Sequence, residues 1–404
     1  MIPKTLIERM FGAATIQRWN DHVRPVELTE LDKQAHKAFI VYLLARFEED
    51  RGVPLDWAFL VEGFLFEFLP RVVLTDIKAP FYHRLMAVNG PKVNTHVARV
   101  LQADLAQVEP GLPDRFVRYL DGGDERRIER RLLKAAHYLA TQWEFRLVYH
   151  LEPFLYGIER TKAEIENQIE DYIDLIGVQK IHLKQKAYGF VDLCGQLRFQ
   201  QRWAQTPRLP RTSVLGHSLF VALLTHLFGR GRGFCPARVR NNFFCALMHD
   251  LPELFTRDII SPIKREIEGL EEFVEQEERR LVDERLLPLL PDAWHPQVTY
   301  FLDRPFDNRI LDQGRRREVS AADLDRRYNE DRFEPTDGDL IKHSDNLSAL
   351  IEASKSLETG IQSPALLDGA RTILKRYREA PEGPIPYAVF EQFRPAALNE
   401  SLPR

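Results

Sequence analysis

Apolar residues recur at three- and four-residue intervals along most of the 404-residue chain, and no long stretch alternates between apolar and polar positions. A repeat near 3.6 residues is the pattern of an amphipathic α-helix, whereas alternation would indicate a strand. The most apolar stretch, residues 57–74, is too short and too charged to span a bilayer. The pattern therefore predicts an all-α fold with a buried helix over residues 57–74.

The chain also resembles itself. The triplet Gln17-Arg18-Trp19 recurs as Gln201-Arg202-Trp203, and a polar, proline-containing loop follows each copy. Apolar residues then occupy the third, fourth and seventh positions after His36, and likewise after His217. These positions share one helix face, so both histidines are predicted to point inward.

Two further blocks match in the same order. Glu67-Phe68-Leu69-Pro70 corresponds to His249-Asp250-Leu251-Pro252, and His137 falls where Asp345 lies in the second copy. The separation is about 182 residues for the earlier blocks and about 208 for the last. An internal duplication explains this order. The longer second copy then carries an insertion within residues 281–336, which are rich in Pro, Asp and Arg and are predicted to be loop-like.

Length and composition agree with two domains. A chain of 404 residues is too long for one ordinary core, and its 44% hydrophobic and 29% charged residues are typical of soluble globular proteins. A net charge of −4 gives no general attraction for nucleic acid. The three cysteines lack the spacing of a zinc knuckle or a disulfide framework, and the N-terminus lacks a signal-peptide pattern. A reducing, cytoplasmic location is therefore expected.

Four side chains of the second half carry the strongest chemical signal: His217, His249, Asp250 and Asp345. Asp345 lies four residues from an apolar neighbour on either side, so it points inward, where a lone carboxylate is costly unless something pairs with it. Each histidine taken singly is interpreted as a hydrogen-bonded core residue, but together the four form a mixed nitrogen and oxygen set. Such a set suits Mn, Co, Fe, Ni or Zn and does not choose among them.

Glu253 follows Asp250 by three residues and His249 by four, so on a helix it would share their face. There it could orient a water molecule or protonate a leaving oxygen. The alternative is a surface glutamate that pairs with a neighbour such as Arg257.

Residues 185–360 resemble the HD-domain metal-dependent phosphohydrolases, and within that superfamily they are most similar to the bacterial 5'-deoxynucleotidase subgroup. The resemblance rests on Arg202-Trp203 ahead of the first ligand, on residues 248–258, on Pro262 and on residues 342–347. It implies an all-α bundle, usually dimeric, with one divalent transition metal as cofactor.

The resemblance also implies a role for each side chain. A metal-activated water would attack the 5'-phosphate of a deoxynucleoside monophosphate, with Glu253 as the acid/base group. Arg202 would hold the phosphate with its guanidinium fork. Trp203 would pack on the sugar and help to exclude a 2'-hydroxyl, and Asp258 would take the 3'-hydroxyl. The metal ligands would be His217, His249, Asp250 and Asp345.

The first copy departs further from this pattern. Phe68, which cannot ligate a metal, replaces the ligand aspartate, and Arg71 replaces Glu253 although it stays protonated and cannot act as a base. The first copy is therefore predicted to be a degenerate domain with the structural role of a dimer partner. The alternative is that it binds a regulatory nucleotide through Arg18 and Trp19.

These interpretations give a domain organisation. A degenerate HD-like helical domain is predicted for residues 1–160, a helical connector for 161–190 and a catalytic HD domain for 191–380. Residues 381–404 are predicted to be a Pro-rich, extended tail. The two domains are expected to pack as an intramolecular pseudo-dimer.

The leading functional hypothesis is a phosphohydrolase that releases phosphate from (deoxy)nucleoside 5'-monophosphates. One departure, Leu215-Gly216 where the subgroup tends to have Ser-Glu, concerns the substrate more than the metal. An HD phosphodiesterase, or a pyrophosphohydrolase of dNTPs or alarmones, is an alternative, with Lys264, Arg265 and the 315–317 arginines as candidate contacts. A non-catalytic regulatory nucleotide-binding protein is another. The expected partner is a small-molecule nucleotide, with no membrane or nucleic acid, and further homo-oligomerisation is left open.

Overall fold

The structure is a computed structural model, and it describes residues 2–75, 77, 79–123, 127–257, 267 and 269–398. Asp258, Pro262, Lys264 and Arg265, which the sequence singles out, lie outside the described residues. No helix in the described part of the chain is both long enough and apolar enough to cross a membrane.

The chain divides into two compact units. The first contains Met1–Gly195 and Arg230–Arg240, and the second contains Gln196–Gly229 and Asn241–Arg404. Both are built from helices, with one two-stranded sheet among the described residues, so the predicted all-α fold class is confirmed.

The helices of the first unit carry buried apolar stripes. The all-round burial of α2, including its polar residues, makes it the central helix of this unit, packed against α6 and α8. Thr29 caps α2 by accepting a hydrogen bond from the Asp32 N–H at 3.2 Å. The helices up to the unit boundary are α1 (Lys4–Phe11), α2 (Glu30–Asp50), α3 (Trp57–Leu74), α4 (Ala79–Val108), α5 (Leu112–Leu120), α6 (Ile128–Leu151), α7 (Ile158–Glu170), α8 (Ile176–His182) and α9 (Lys186–Gln196).

The buried helix predicted for residues 57–74 is confirmed, because α3 covers that stretch. Asp56 caps it through the Phe59 N–H at 2.9 Å. Its interior proline, Pro70, is buried and does not end the helix. The following helix, α4, is kinked at Asn89, two residues before Pro91, because proline disfavours helical backbone in the residues before it.

In the second unit α10 has the central position of α2, since it is buried on all sides and packs against α16. The elements from this point are α10 (Val214–Gly229), α11 (Pro236–Met248), α12 (Glu253–Thr256), α13 (Leu270–Leu281), α14 (His295–Leu302), β1 (Arg309–Asp312), β2 (Arg315–Glu318), α15 (Ala321–Arg326), α16 (Gly338–Glu358), α17 (Pro364–Glu379) and α18 (Tyr387–Glu391).

The prediction that residues 281–336 are loop-like is wrong, because this stretch contains α14, a β-hairpin and α15. The hairpin pairs Arg309 with Glu318 and Asp312 with Arg315 across antiparallel strands. Its two-residue turn has Gln313 and Gly314 at positive φ, as a tight hairpin turn requires. Several Asp and Arg residues of this stretch, which suggest a solvated loop, form ion pairs instead.

The prediction of an extended tail is wrong as far as Leu398. Residues 387–391 form α18, and Val389, Phe390 and Phe393 are buried. The Phe390 ring stacks on Tyr377 with 3.9 Å between centroids. The prolines of this segment set helix starts and turns, while its apolar residues fix it to α17.

One loop in each unit has the same local structure. Trp19 and Trp203 both adopt left-handed backbone, with φ of 54° and 57°. Such φ values are uncommon for residues other than glycine, so their recurrence is informative. Residues at equivalent places in the two loops are 184 positions apart, as the antiparallel bridges at the loop ends show: Gln17 with Thr29, and Gln201 with Ser213.

Candidate metal centre

His217 lies in the first turns of α10, and its side chain is fully buried. Its Nδ1 is 3.0 Å from the Ser348 hydroxyl, and its Nε2 is 3.0 Å from Oδ1 of Asp345. Both partners lie on α16, which packs against α10. The packing of two buried helices thus brings the first and the last predicted ligand together.

His249 and Asp250 directly follow α11, which ends at Met248. Nδ1 of His249 contacts the Ala246 carbonyl oxygen at 2.7 Å. That contact fixes the imidazole so that Nε2 is the nitrogen directed at the cluster, as in many histidine ligands. The centroids of the His217 and His249 rings are 5.5 Å apart.

The four predicted ligands converge. Candidate ligand atoms of His217, His249 and Asp345 all lie within 4.8 Å of one another. The Asp250 carboxylate completes the group, with Oδ1 at 3.2 Å from Nε2 of His249 and Oδ2 at 3.7 Å from Nε2 of His217. Helix packing and one turn therefore assemble two imidazoles and two carboxylates from distant parts of the sequence.

The donor atoms fit a divalent cation. Nε2 of His249 and Oδ2 of Asp250 are buried and make no hydrogen bond to any described residue, although Nε2 lies close to the other Asp250 oxygen. Buried polar atoms without partners are costly, and a cation between them would satisfy both. A set of two nitrogen and two oxygen donors suits a transition metal such as Mn, Co, Fe, Ni or Zn.

The protonation of the site follows from its charges. Burial lowers the pKa of His217, but hydrogen bonds to Asp345 and Glu352 outweigh burial and raise it to about 9. Burial raises the pKa of Asp345, but the His217 contact outweighs it and lowers the pKa to about 2. A metal binds only the unprotonated imidazole nitrogen, so it must displace the proton that these carboxylates stabilise.

A buried carboxylate that sequence reasoning missed, Glu352, supports the centre. Its Oε2 accepts the Trp203 indole N–H at 3.0 Å, and its Oε1 accepts the Thr212 hydroxyl at 2.7 Å and lies 3.5 Å from Nδ1 of His217. Ser348, which also contacts Nδ1, was missed as well. On α16, Ser348 follows Asp345 by three residues and Glu352 follows it by seven, so the three side chains share one helix face. This spacing could have been read from the sequence.

Replacing Glu352 with glutamine is expected to weaken divalent-metal affinity by roughly 10- to 100-fold, the usual effect of losing a group that orients a ligand. The amide keeps the size of the side chain but removes the charge beside His217. Calorimetric titration with Mn²⁺ or Co²⁺ measures the change. Glu358→Gln, an exposed substitution at the end of the same helix, is the control. Equal affinity in the two variants would remove Glu352 from this role.

Arg202 and Trp203 lie next to the cluster. Nη1 of Arg202 is 3.6 Å from Oδ2 of Asp250, and its Nε is 3.8 Å from Oε2 of Glu352. The Trp203 indole lies against Gly369, where an added Cβ would be 2.9 Å from the ring. Arg202, the predicted phosphate-binding residue, therefore lies at the edge of the ligand set. Trp203 is held by the hydrogen bond of its N–H to Glu352 and by the packing of its ring on Gly369.

Glu253 begins α12, so it does not share a helix with His249 and Asp250, as the spacing argument assumed. A turn joins them instead, in which the Glu253 N–H donates to the Asp250 carbonyl at 3.1 Å. The Gln200 amide donates to the Glu253 carbonyl at 3.2 Å, and the Glu253 side chain is half-buried. The backbone of Glu253, the predicted acid/base residue, is therefore tied to Asp250 and Gln200 by hydrogen bonds. A shared helix face does not position it.

Residues 281–336, where the sequence predicts an insertion, contribute an aromatic side chain to the centre. The Phe306 ring lies edge-on to His249, with 5.9 Å between centroids. Its backbone approaches Gly338 so closely that a Cβ on that glycine would be 2.2 Å from the Phe306 carbonyl carbon. Glycine at the start of α16 thus allows this apolar ring to cover one side of the ligand set.

The first unit has no such ligand set among its described residues. His36, which the sequence matched to His217, is a core residue: its Nε2 is 2.8 Å from the Val191 carbonyl oxygen and its ring packs edge-on to Trp143. If the register of 184 seen in the two loops continues into the helices, Lys33 is the counterpart of His217. Phe68 is fully buried.

Comparison with known proteins gives a family match for the C-terminal part of the chain. Residues 194–374 match the family described as "HD domain". The chain is also similar to a solved HD-domain phosphohydrolase from Listeria innocua, with 19% sequence identity, a TM-score of 0.36, and coverage of 53% of this chain and 88% of that one. No curated protein matches the sequence. Residues 194–374 thus match the HD-domain family, which agrees with the superfamily that the sequence resembles.

Proposed function

We propose that the second unit is a divalent-metal-dependent phosphohydrolase. The observation that carries the proposal is the convergence of His217, His249, Asp250 and Asp345 within the matched HD domain, with buried donor atoms of His249 and Asp250 that lack hydrogen bonds to described residues. When bound, a divalent cation supplies Lewis-acid activation of water and of a phosphoryl oxygen.

The side chains around the ligand set divide the remaining tasks. Arg202 offers a guanidinium at the edge of the cluster, where it can hold a phosphate through paired N–H groups. Glu253 holds or releases the proton that the leaving oxygen needs. Glu352 keeps the His217 ring in place, and Phe306 excludes water from the side of His249.

We further propose that the substrate is a (deoxy)nucleoside 5'-monophosphate, as in the subgroup that the sequence resembles. The support is the position of Arg202 and Trp203, both tied to Glu352 beside the ligand set. The alternative of a larger substrate gains little from Arg316 and Arg317, because Arg316 pairs with Asp303 and Asp307, and Arg317 pairs with Asp312.

One screen tests both proposals. Mono-, di- and triphosphate nucleotides are incubated with the full chain and Mn²⁺, Co²⁺, Ni²⁺, Zn²⁺ or Mg²⁺, and released phosphate and pyrophosphate are measured. Phosphate released from monophosphates supports the proposed substrate. Pyrophosphate released from triphosphates would replace it with the pyrophosphohydrolase alternative, and no hydrolysis with any metal would overturn the enzymatic assignment.

Truncating Trp203 to alanine is expected to relax the choice of sugar. If the indole excludes a 2'-hydroxyl, the ratio of kcat/KM for the deoxy and ribo substrates falls by roughly 10- to 100-fold, the range for sites that discriminate by shape. Trp203→Phe is the matched control, because it keeps an aromatic ring and removes the N–H bonded to Glu352. An unchanged ratio in the alanine variant would contradict the assignment.

We also propose that the two units arose by duplication, with the second one retaining the metal centre. The support is the pair of equivalent tryptophan loops, their constant register of 184, and the equivalent bonds of Trp19 to Glu144 and of Trp203 to Glu352. The N-terminal unit is then a degenerate copy without a catalytic role.

A further inference from the structure

The first unit contains an open cavity of about 320 Å³. This volume lies at the lower end of the range for small-molecule sites. Its walls combine cationic, aromatic and apolar side chains. The side chains used in the argument below are Lys37, Glu67, Arg71, Tyr82, Arg130, Lys134, His137, Tyr138 and Tyr172.

The cavity lies where the first unit would have a metal centre. The register of 184 puts Lys33 at the position of His217, and the later register of 208 puts His137 at the position of Asp345. Nζ of Lys33 is 2.5 Å from Nδ1 of His137. A lysine side chain thus stands beside His137, among the residues that correspond to metal ligands under the proposed duplication.

The cavity wall has more positive than negative charge. Lys37 pairs with Glu67 at 2.5 Å, and Glu67 is the one carboxylate among the described residues of the wall. The Arg71 guanidinium lies over the Tyr82 ring at 4.5 Å and makes no hydrogen bond or ion pair with any described residue. Lys134 likewise makes none within the described part of the chain. Arg71 and Lys134 are therefore available to an anion in the cavity.

Neighbouring groups respond to this excess of positive charge. Burial, followed by the charges of Lys33 and Arg71, lowers the pKa of His137 well below its usual range. Burial also lowers the pKa of Lys33 well below its usual range. The charge of Glu30 opposes this shift, and the charges of Arg18 and Arg71 add to it. A bound anion would relieve the repulsion among these groups.

The route to a nucleotide that the sequence suggested is closed. The Arg18 guanidinium donates to Glu144 at 2.8 Å and to Glu30 at 2.9 Å, and the Trp19 indole N–H donates to Glu144 at 3.1 Å. Two buried carboxylates therefore satisfy this arginine. The cavity around Arg71 offers an anion cationic side chains that lie outside this carboxylate pairing.

We propose that this cavity binds a small phosphate monoester without a divalent metal, through Arg71 and Lys134. The phosphate takes the cationic end, because guanidinium and ammonium groups are the usual partners of phosphate oxygens. Tyr82, Tyr138 and Tyr172 offer rings against which an organic group can pack. The proposed ligand is thus a phosphorylated small molecule. Free phosphate carries the same charged group and is the other ligand that the test distinguishes.

The test uses the full chain with the C-terminal metal centre disabled. The second unit then cannot bind a nucleotide through a metal. Asp250→Ala protein is treated with EDTA, and inorganic phosphate and deoxyadenosine 5'-monophosphate are titrated calorimetrically. We expect saturable binding, weakened about 10-fold or more by Arg71→Gln because a charge-assisted bond is lost. Arg99→Gln, an exposed arginine of the same helix as Tyr82 that does not line the cavity, is expected to leave it unchanged.

Lys134→Gln is the second variant, and circular dichroism confirms that each variant is folded. Tighter binding of the nucleotide than of phosphate identifies an organic phosphate as the ligand, and equal binding identifies free phosphate. No saturable binding of either anion, or equal affinity in Arg71→Gln and Arg99→Gln, would overturn the proposal. Hydrolysis by the second unit is measured separately, so either proposal can fail without the other.

Discussion

Asp250→Ala is expected to abolish metal binding and phosphate release together. Asp250 places one oxygen 3.2 Å from His249 and the other 3.7 Å from His217, so its removal deletes a charged donor between the two imidazoles. Losing a direct ligand should exceed the roughly 10- to 100-fold effect of losing an outer partner. We therefore expect both metal affinity and kcat/KM to fall by more than about 100-fold, measured by metal titration and by released phosphate.

The matched control is Asp292→Ala, which removes a fully exposed aspartate from the same unit. It should leave metal affinity and turnover unchanged. Asp250→Ala protein that keeps its activity with normal metal content would show that another group holds the cation, and the proposed centre would then be wrong.

Glu253→Gln is expected to separate metal binding from turnover. The amide cannot give or take the proton of the leaving oxygen, and general acid–base groups contribute about 100- to 10,000-fold to rate. Metal affinity should stay close to that of the parent, because Glu253 is outside the set of predicted ligands. Both kcat and metal affinity are measured in Glu253→Gln. The control is Glu275→Gln, because Glu275 is an exposed residue of α13.

A loss of metal together with activity would make Glu253 a ligand instead of an acid/base group. Normal turnover would leave it without a role in the reaction, and the half-buried carboxylate would then be structural.

The sequence predicted the parts of the fold that depend on local pattern. The helix at 57–74 and the inward face of Asp345 both follow from apolar spacing along one helix, and both agree with the structure. The four ligands were found from their order along the chain, and for Asp345 also from the cost of burying a carboxylate without a partner. Their convergence, however, depends on how α10 packs against α16, which no local pattern contains.

The errors have physical causes. His36 and His217 sit in similar apolar patterns, but the pattern repeats every three or four residues, so it cannot distinguish registers that differ by one turn. The loop bridges have a register of 184, and under the proposed duplication that register makes Lys33 the counterpart of His217. The strands at 309–318 were missed because their Arg and Asp side chains pair across the hairpin, which alternation of apolar residues does not reveal.

The shared carboxylate of Glu352 has a consequence for how this protein can vary. Glu352 accepts the indole N–H of Trp203, the proposed sugar contact. It also lies beside Nδ1 of His217, on the opposite side of the ring from the proposed cation. Selection or engineering that alters sugar preference at Trp203 will therefore change cation affinity as well. Variants with a new substrate range are expected to carry compensating changes in α16, so evolution can tune the two properties only as a pair.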